Sequence, residues 1–502
     1  YLSAQSVKRV NFFRFVTKKK KKHSQTSIIK TSRVVVIGAG PAGIAAATRL
    51  LEAGFRNVIV VEAESRIGGR VHTVPFADNM VDLGAQWCHG EKNNVIYDMV
   101  KDLNMLESTG TIYDDYKCVR SNRQLVPEQI SEQLKSIVFN SIPERQDELV
   151  RYEGSLGAYL TDKYWRELEK LPQIDRTIAQ EFFENFKKFE SSIECSDHLF
   201  EVSGSGHLEY WLCDGDLLLN WKDKGFKSFL RLLMKAKPDS AEDLGILNQR
   251  ILLNHRIEQI SWNDEQSIQI KCWNGELIMA DHVICTVSLG VLKECHERMF
   301  RPALPELKCR AIEGLKLGTV NKFFMEFELP FGPSDWSGFC FLWLEQDLVE
   351  LRNSKHFWLE SVFGFYRVSY QPRLLEGWII GPHGRYMETL PKEQVISGLL
   401  WLFKKFFNFP IPEPINFLRT QWYSNPNFRG SYTFRSLYTD ELRTGACDLA
   451  SPITNSSGKP LLQFAGEATS SHYYSTVHGA VESGWREAQR LISFYQGRTS
   501  QL

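Results

Sequence analysis

The stretch RVVVIGAGPAGIAAATRLLEAGFRNVIVVE, residues 33–62, sets the frame for the rest of the chain. A β-branched run from Arg33 ends in Gly38-Ala39-Gly40-Pro41-Ala42-Gly43, residues 44–51 have helical composition, and a second apolar run over 58–61 stops at Glu62. Strand, glycine turn, helix and strand in that order predict a βαβ unit. Gly38 suits a tight turn, Gly40 lets a pyrophosphate approach the backbone, and Gly43 lets the helix lie close on the sheet. The helix N-terminus offers unpaired N–H groups and partial positive charge to the phosphates. Glu62 lies 19 residues beyond Gly43, where a carboxylate can accept both hydroxyls of an adenosine ribose. Glycine-rich turns also arise from packing alone, but the full order implies dinucleotide binding.

Residues just downstream separate NAD from FAD. EAESRIGGR, residues 62–70, places a second glycine pair and two arginines after the ribose acid, a further set of phosphate contacts that a nicotinamide enzyme does not need. Near the other end, QFAGE (463–467) precedes a loop and then VHGAVESGWREA (477–488), whose small residues at helical spacing suit a helix packed closely on a ligand. A helix start there would stabilise negative charge on a reduced flavin.

Composition bounds the remainder. A chain of 502 residues that is 43% hydrophobic has enough apolar content for two domains. Lys+Arg and Asp+Glu are both 60, so net charge gives no reason to expect nucleic acid or an anionic membrane as main partner. Ten cysteines without CxxC pairs argue against a zinc module or a disulfide framework; no metal is expected, and reduced thiols fit best. No apolar run approaches the roughly 20 residues that span a bilayer. Residues 1–32 lack acids and carry the run Lys18 to Lys22, which reads as a basic tail, with a transit peptide or nuclear address as alternatives. Residues 498–502 form a second tail, and Ser500-Gln501-Leu502 loosely matches a peroxisomal address. A cytoplasmic location is expected first, with peroxisome or nucleus as alternatives.

Several segments together resemble the flavin-containing amine oxidases, and within them the polyamine oxidase group of spermine and N1-acetylpolyamine oxidases. They are GAGPAGIAAATRL (38–50), EAESRIGGRV (62–71), DLGAQWCHG (82–90), ADHVICTVSLGVLK (280–293), GTVNKFFMEFE (318–328), QWYSNPNFRGSY (421–432) and FAGEATSSHYYSTVHGA (464–480). The resemblance implies an α/β fold with a discontinuous, Rossmann-type (GR2-like) FAD-binding domain over 33–105, 245–305 and 416–497. A substrate domain of mixed sheet and helices takes 106–244 and 306–415. The residues agree locally. Residues 267–279 read as a hairpin with Asn274-Gly275 at its turn, and 281–287 as a buried strand returning to the nucleotide sheet. Residues 81–90 read as a buried strand running into a turn.

Carried over position by position, the resemblance implies FAD contacts at Gly38, Gly40, Gly43, Glu62, Arg70, Ala85, Gln86, Trp87, Ile257, Trp422, Glu467 and Val477. Where some relatives tether the flavin through cysteine, this chain has Ser431, so the FAD is expected to be non-covalent. The reaction implied passes a hydride from the carbon beside a secondary amine to flavin N5. Water then cleaves the imine to amine and aldehyde, and O2 reoxidises the flavin to give hydrogen peroxide. The catalytic residues expected are Lys322 and His89. Taken alone, Lys322 is a solvent-facing strand residue that shares a face with Val320 and Phe324; by resemblance it holds a water near the flavin. His89 is expected to hydrogen-bond and orient the substrate amine. Tyr432 and Tyr473 match an aromatic cage, with Tyr474 and Thr476 nearby. Glu190, Glu194 and Asp197 are candidate partners for distal ammonium groups, although a solvated acidic face explains them equally well.

Spermine ranks narrowly ahead of an acetylated polyamine, and a monomer is favoured. A lysine-specific histone demethylase shares the chemistry, but the chain shows neither a long coiled-coil insertion nor an additional N-terminal helical domain. A non-catalytic flavoprotein is the reading from another class.

Overall fold

The computed structural model describes residues 31–109, 115–142, 147–237, 243–263, 267–368 and 370–497. Both basic-run and C-terminal tail readings lie outside the described residues.

β1 (Arg33–Ile37), α1 (Pro41–Glu52) and β2 (Asn57–Val61) form the predicted unit. β1 is central in a six-stranded sheet, between β2 and the strand His282–Cys285, both parallel to it. Pro460–Phe464 and Ile251–Leu252 extend the two sides, also in parallel. Alternate residues of β1 serve opposite cores: Val34 and Val36 pack toward α1 and the helix Val477–Gly497, whereas Val35 and Ile37 pack toward Ile257, Ile270 and Leu289. Burial on both faces explains why β1 reads as a continuous apolar run rather than an alternating one. The predicted hairpin is present, Ile268–Cys272 pairing with Leu277–Ala280 around Gly275 at φ +87°.

A second six-stranded sheet, antiparallel apart from one pair, runs in the order Asn416–Arg419, Val320–Glu326, Gln371–Ile380, Val362–Val368, Gly338–Leu342 and Tyr116–Arg120. One face carries an aromatic core of Phe323, Phe339, Phe365 and Phe403. Helices Glu128–Phe139, Leu156–Leu168 and Arg176–Glu194 build a neighbouring core. The architecture is α/β, a discontinuous Rossmann-type unit joined to a mixed sheet with helices.

Three local expectations differ from the structure. Residues 219–236, expected with the substrate segment, place Leu219, Trp221, Phe226, Phe229 and Leu230 in the core beside α1. Residues 416–419, expected with the nucleotide segment, pair instead with Val320–Glu326. The stretch 81–90 is not one strand: Asn79–Asp82 ends before Trp87–Cys88 begins. Gly84 lies between them because its backbone runs so close to Arg70 that an added Cβ would sit 1.8 Å from the Arg70 carbonyl oxygen.

Candidate active site

A cavity of about 1000 Å³ is lined by both units. Strand ends of the Rossmann sheet deliver Gly38, Gly40 and Glu62; the mixed sheet delivers Val320, Lys322, Phe363, Tyr366 and Trp378.

The nucleotide side fits FAD. At Gly40, which caps the N-terminus of α1, an added Cβ would meet no protein atom within 4 Å, so the helix N–H groups open onto free volume. No acid occupies the first turn of α1 to compete with a phosphate. The Glu62 carboxylate lines the cavity and is fixed by Ala39 N–H at 2.6 Å and Glu64 N–H at 2.8 Å; burial pushes its pKa up and these donors oppose the shift. Arg70, Ala85, Gln86, Trp87, Ile257, Trp422, Glu467 and Val477 also line the cavity. Gly43 does not: an added Cβ there would lie 1.9 Å from the Gly38 carbonyl oxygen, so its task is helix-on-strand packing. Glu467 is a hub, accepting from Arg70 at 2.9 Å, Thr433 at 2.6 Å and Ser475 N–H at 2.9 Å.

Lys322 is 7% exposed, so the solvent-facing reading fails. Its ammonium donates to the Asp82 carbonyl at 2.9 Å and to Gln86 Oε1, and lies 3.0 Å from Glu376 Oε1. A buried ammonium needs such partners, and Glu376 was missed because it is distant in sequence. A signal was available: Glu376 is the one acid in the apolar run LLEGWII (374–380).

His89 is half-buried on the cavity wall, with Nδ1 2.7 Å from the Leu217 carbonyl. A carbonyl only accepts, so Nδ1 carries the proton and neutral His89 presents Nε2 as a lone-pair acceptor. Burial lowers its pKa, and the Leu217 hydrogen bond opposes this.

The substrate-side residues divide. Tyr432, Tyr474, Thr476 and Glu194 line the cavity. Tyr432 donates its hydroxyl to the Ser192 carbonyl at the end of the long helix. Thr476 donates to the Tyr473 carbonyl and accepts from Gly479 N–H, capping the last helix. Tyr473 is not part of the lining; its ring packs edge-on against His478 and Trp211. Glu194 pairs with His207 Nδ1 at 2.8 Å. Glu190 is buried behind the wall, and its pKa is pushed up to about 8 by burial, with Glu194 adding to the shift. Asp197 is engaged in a two-bond ion pair with Arg385. Trp378, Phe363 and Tyr366, not anticipated, form an aromatic wall beside Trp87, in which Trp378 stacks with Trp87 and Phe363 and meets Tyr366 edge-on.

Ser431 Oγ accepts from Val320 N–H and donates to Val320 O, both at 2.9 Å, so the side chain pins the strand of Lys322. Among the described residues no His/Cys/Asp/Glu group could hold a metal, and no helix is long and apolar enough to cross a membrane.

Comparisons with known proteins bear on the family and the fold. Peroxisomal N(1)-acetyl-spermine/spermidine oxidase of Homo sapiens is 29% identical, over 93% of this chain and 96% of its own length. Polyamine oxidase 1 of Oryza sativa subsp. japonica is 28% identical, over 94% of this chain and 99% of its own. A solved structure of wild-type putrescine oxidase bound to putrescine has the same fold, with a TM-score of 0.64 at 18% identity, covering 92% of this chain and 99% of that one. The family model described as flavin containing amine oxidoreductase matches residues 41–492, and the chain therefore belongs to that family of flavin-dependent enzymes.

Proposed function

We propose that the protein is a polyamine oxidase with non-covalent FAD that acts on a secondary amine and uses O2 as acceptor, yielding an aldehyde, an amine and hydrogen peroxide. The observation that carries this reading is the cavity wall: aromatic rings of Trp87, Phe363, Tyr366, Trp378 and Tyr432, a lone-pair nitrogen at His89, and Glu194 as the carboxylate on the substrate side. The other carboxylates lining the cavity are Glu62 and Glu258, which belong to the Rossmann unit, and Glu467, whose oxygens are already taken by protein donors.

Bound FAD supplies a hydride acceptor and a route to O2. The residues supply the rest. Free aliphatic amines have a pKa of about 10, and an apolar aromatic box favours the neutral form, which alone can release hydride from the adjacent carbon. His89 Nε2 accepts an N–H of the amine and orients it. Lys322 places positive charge on the wall, where it favours negative charge developing on oxygen or orients the water that hydrolyses the imine. Glu194 pairs with one distal ammonium.

One carboxylate and an otherwise aromatic wall favour a polyamine with one charged distal end and one uncharged end. On that ground we rank N1-acetylspermine ahead of spermine, where the motifs narrowly favoured spermine. Steady-state peroxide release with N1-acetylspermine, spermine, spermidine and a monoamine, together with identification of the aldehyde, tests the reading. Preference for the monoamine overturns the polyamine assignment; preference for spermine overturns only the acetyl-end argument.

A further inference from the structure

We propose that Glu376 is the countercharge and positioning residue of Lys322, an inference that rests on the functional reading of Lys322 given above. Glu376 sits on the strand Gln371–Ile380, opposite Phe324 on one side and Tyr366 on the other, and is 2% exposed. Its Oε1 lies 3.0 Å from the Lys322 ammonium, and its Oε2 accepts from Gln86 Nε2 at 3.0 Å. Gln86 Oε1 in turn accepts from Lys322, so the three side chains close a ring. Two segments 290 residues apart in sequence, around Gln86 and Glu376, thus grip one ammonium from two sides.

The neighbouring acids do not duplicate the role. The Asp82 carboxyl is directed elsewhere, to Thr73 Oγ1 and Phe226 N–H, and burial pushes its pKa up to about 7; only its backbone carbonyl meets Lys322. Burial also pushes the pKa of the Tyr370 hydroxyl up, with Glu376 and Asp82 adding to the shift. Glu376 is the carboxylate that meets the ammonium. With it, the positive charge that Lys322 brings to the wall is partly offset and held in a fixed place; without it, that charge is uncompensated and the long side chain is free to leave Gln86. A cation near a flavin favours the reduced, negatively charged form, so the pair sets the flavin reduction potential as well as the position of Lys322.

The test is a comparison of holoenzymes: wild type, Glu376→Gln, Lys322→Met and the double variant. Midpoint potentials are measured by dye equilibration at pH 7, and reoxidation rates by mixing reduced enzyme with O2. Glu376→Gln is expected to raise the potential and to change the reoxidation rate by about tenfold or more. In the Lys322→Met background the same substitution is expected to have a much smaller effect on both, because the ammonium through which Glu376 acts is gone. Where Glu376→Gln fails to accumulate, Glu376→Asp keeps the charge but shortens the reach; it is expected to slow reoxidation while leaving the potential near that of wild type. If Glu376→Gln, or Glu376→Asp in its place, leaves both readouts at wild-type values while Lys322→Met alters reoxidation, the inference falls and the Lys322 reading stands. If Lys322→Met itself leaves reoxidation unchanged, the Lys322 reading falls first.

Discussion

Two glycines in one turn are expected to fail in opposite ways when changed to alanine. At Gly43 the new Cβ would lie 1.9 Å from the Gly38 carbonyl oxygen. Ordinary contact needs roughly 3 Å, so α1 would have to retreat by about 1 Å in an interior packed like a crystal. It has nowhere to go, because on its other side Gly484 of the last helix is already so close that a Cβ there would be 2.1 Å from the Ala42 carbonyl oxygen. Overpacking typically costs about 1–3 kcal/mol, and here the upper end applies because the clashing atoms are backbone. Alanine recovers about 1 kcal/mol through its helix propensity, leaving a net loss of about 2 kcal/mol. At Gly40 the Cβ meets no protein atom, and exchanging glycine for alanine at an N-cap costs less than about 1 kcal/mol. That methyl instead fills the space offered to a phosphate. Urea unfolding of the flavin-free proteins and flavin absorbance of the purified ones separate the two effects. Gly40→Ala should fold normally without flavin, and Gly43→Ala should be unstable in either form. Flavin retained by Gly40→Ala at the wild-type level would refute the placement of phosphate at the start of α1.

Further outcomes follow from the same geometry. His478 is 2% exposed, and burial, with His89 adding to it, pushes its pKa down to about 3. Between about pH 3 and about pH 6.5 the unfolded chain therefore binds the extra proton, and this histidine costs about 1.4 kcal/mol of stability per unit fall in pH; urea unfolding at pH 5 and 7 should show that slope removed in His478→Asn. Acid precipitation should release the yellow colour into the supernatant, as Ser431 offers no thiol; colour retained in the pellet would sink non-covalent binding. His89→Gln should slow polyamine turnover with flavin retained, and loss of flavin would return His89 to a structural part. Glu194→Gln should raise KM for a polyamine about tenfold while sparing a monoamine, measured by peroxide release.

What the sequence disclosed follows the range of the interactions involved. The βαβ unit and the hairpin are local: period, glycine positions and turn residues lie within a few residues of one another, and both were legible. Lys322 shows the boundary. Its strand and face were readable from alternation, but its burial depends on Glu376 and Gln86, partners that only the fold brings to it. Residues 219–236 were misplaced for a related reason. Trp221, Phe226 and Phe229 carry the same apolar aromatic character as the substrate segment, and only packing against α1 assigns them to the nucleotide unit. Tyr473 and Tyr474 are adjacent and chemically alike, yet one packs on His478 and the other lines the cavity. Which ring turns inward is decided by the backbone, with Ser475 at φ +67° directly after them.

The seam between the two units explains why the site needs both. Arg70 reaches from the Rossmann side to the Ser431 carbonyl at 2.7 Å and to Glu467, while Ser431 holds the strand of Lys322 through Val320. Farther along, Asp82 and Gln86 take hydrogen bonds from Lys322 itself. The short segment 70–86 thus lines the nucleotide side with its backbone and turns and anchors the strand of Lys322 with its polar groups. Buried polar bonds of this kind are costly to break singly, so the two units cannot shift against each other without exposing several unsatisfied groups at once. The distance between the cofactor cradle and Lys322 is then a property of this seam rather than of either unit. Variants at Arg70 or Gln86 should therefore disturb positioning at Lys322 as well as flavin binding.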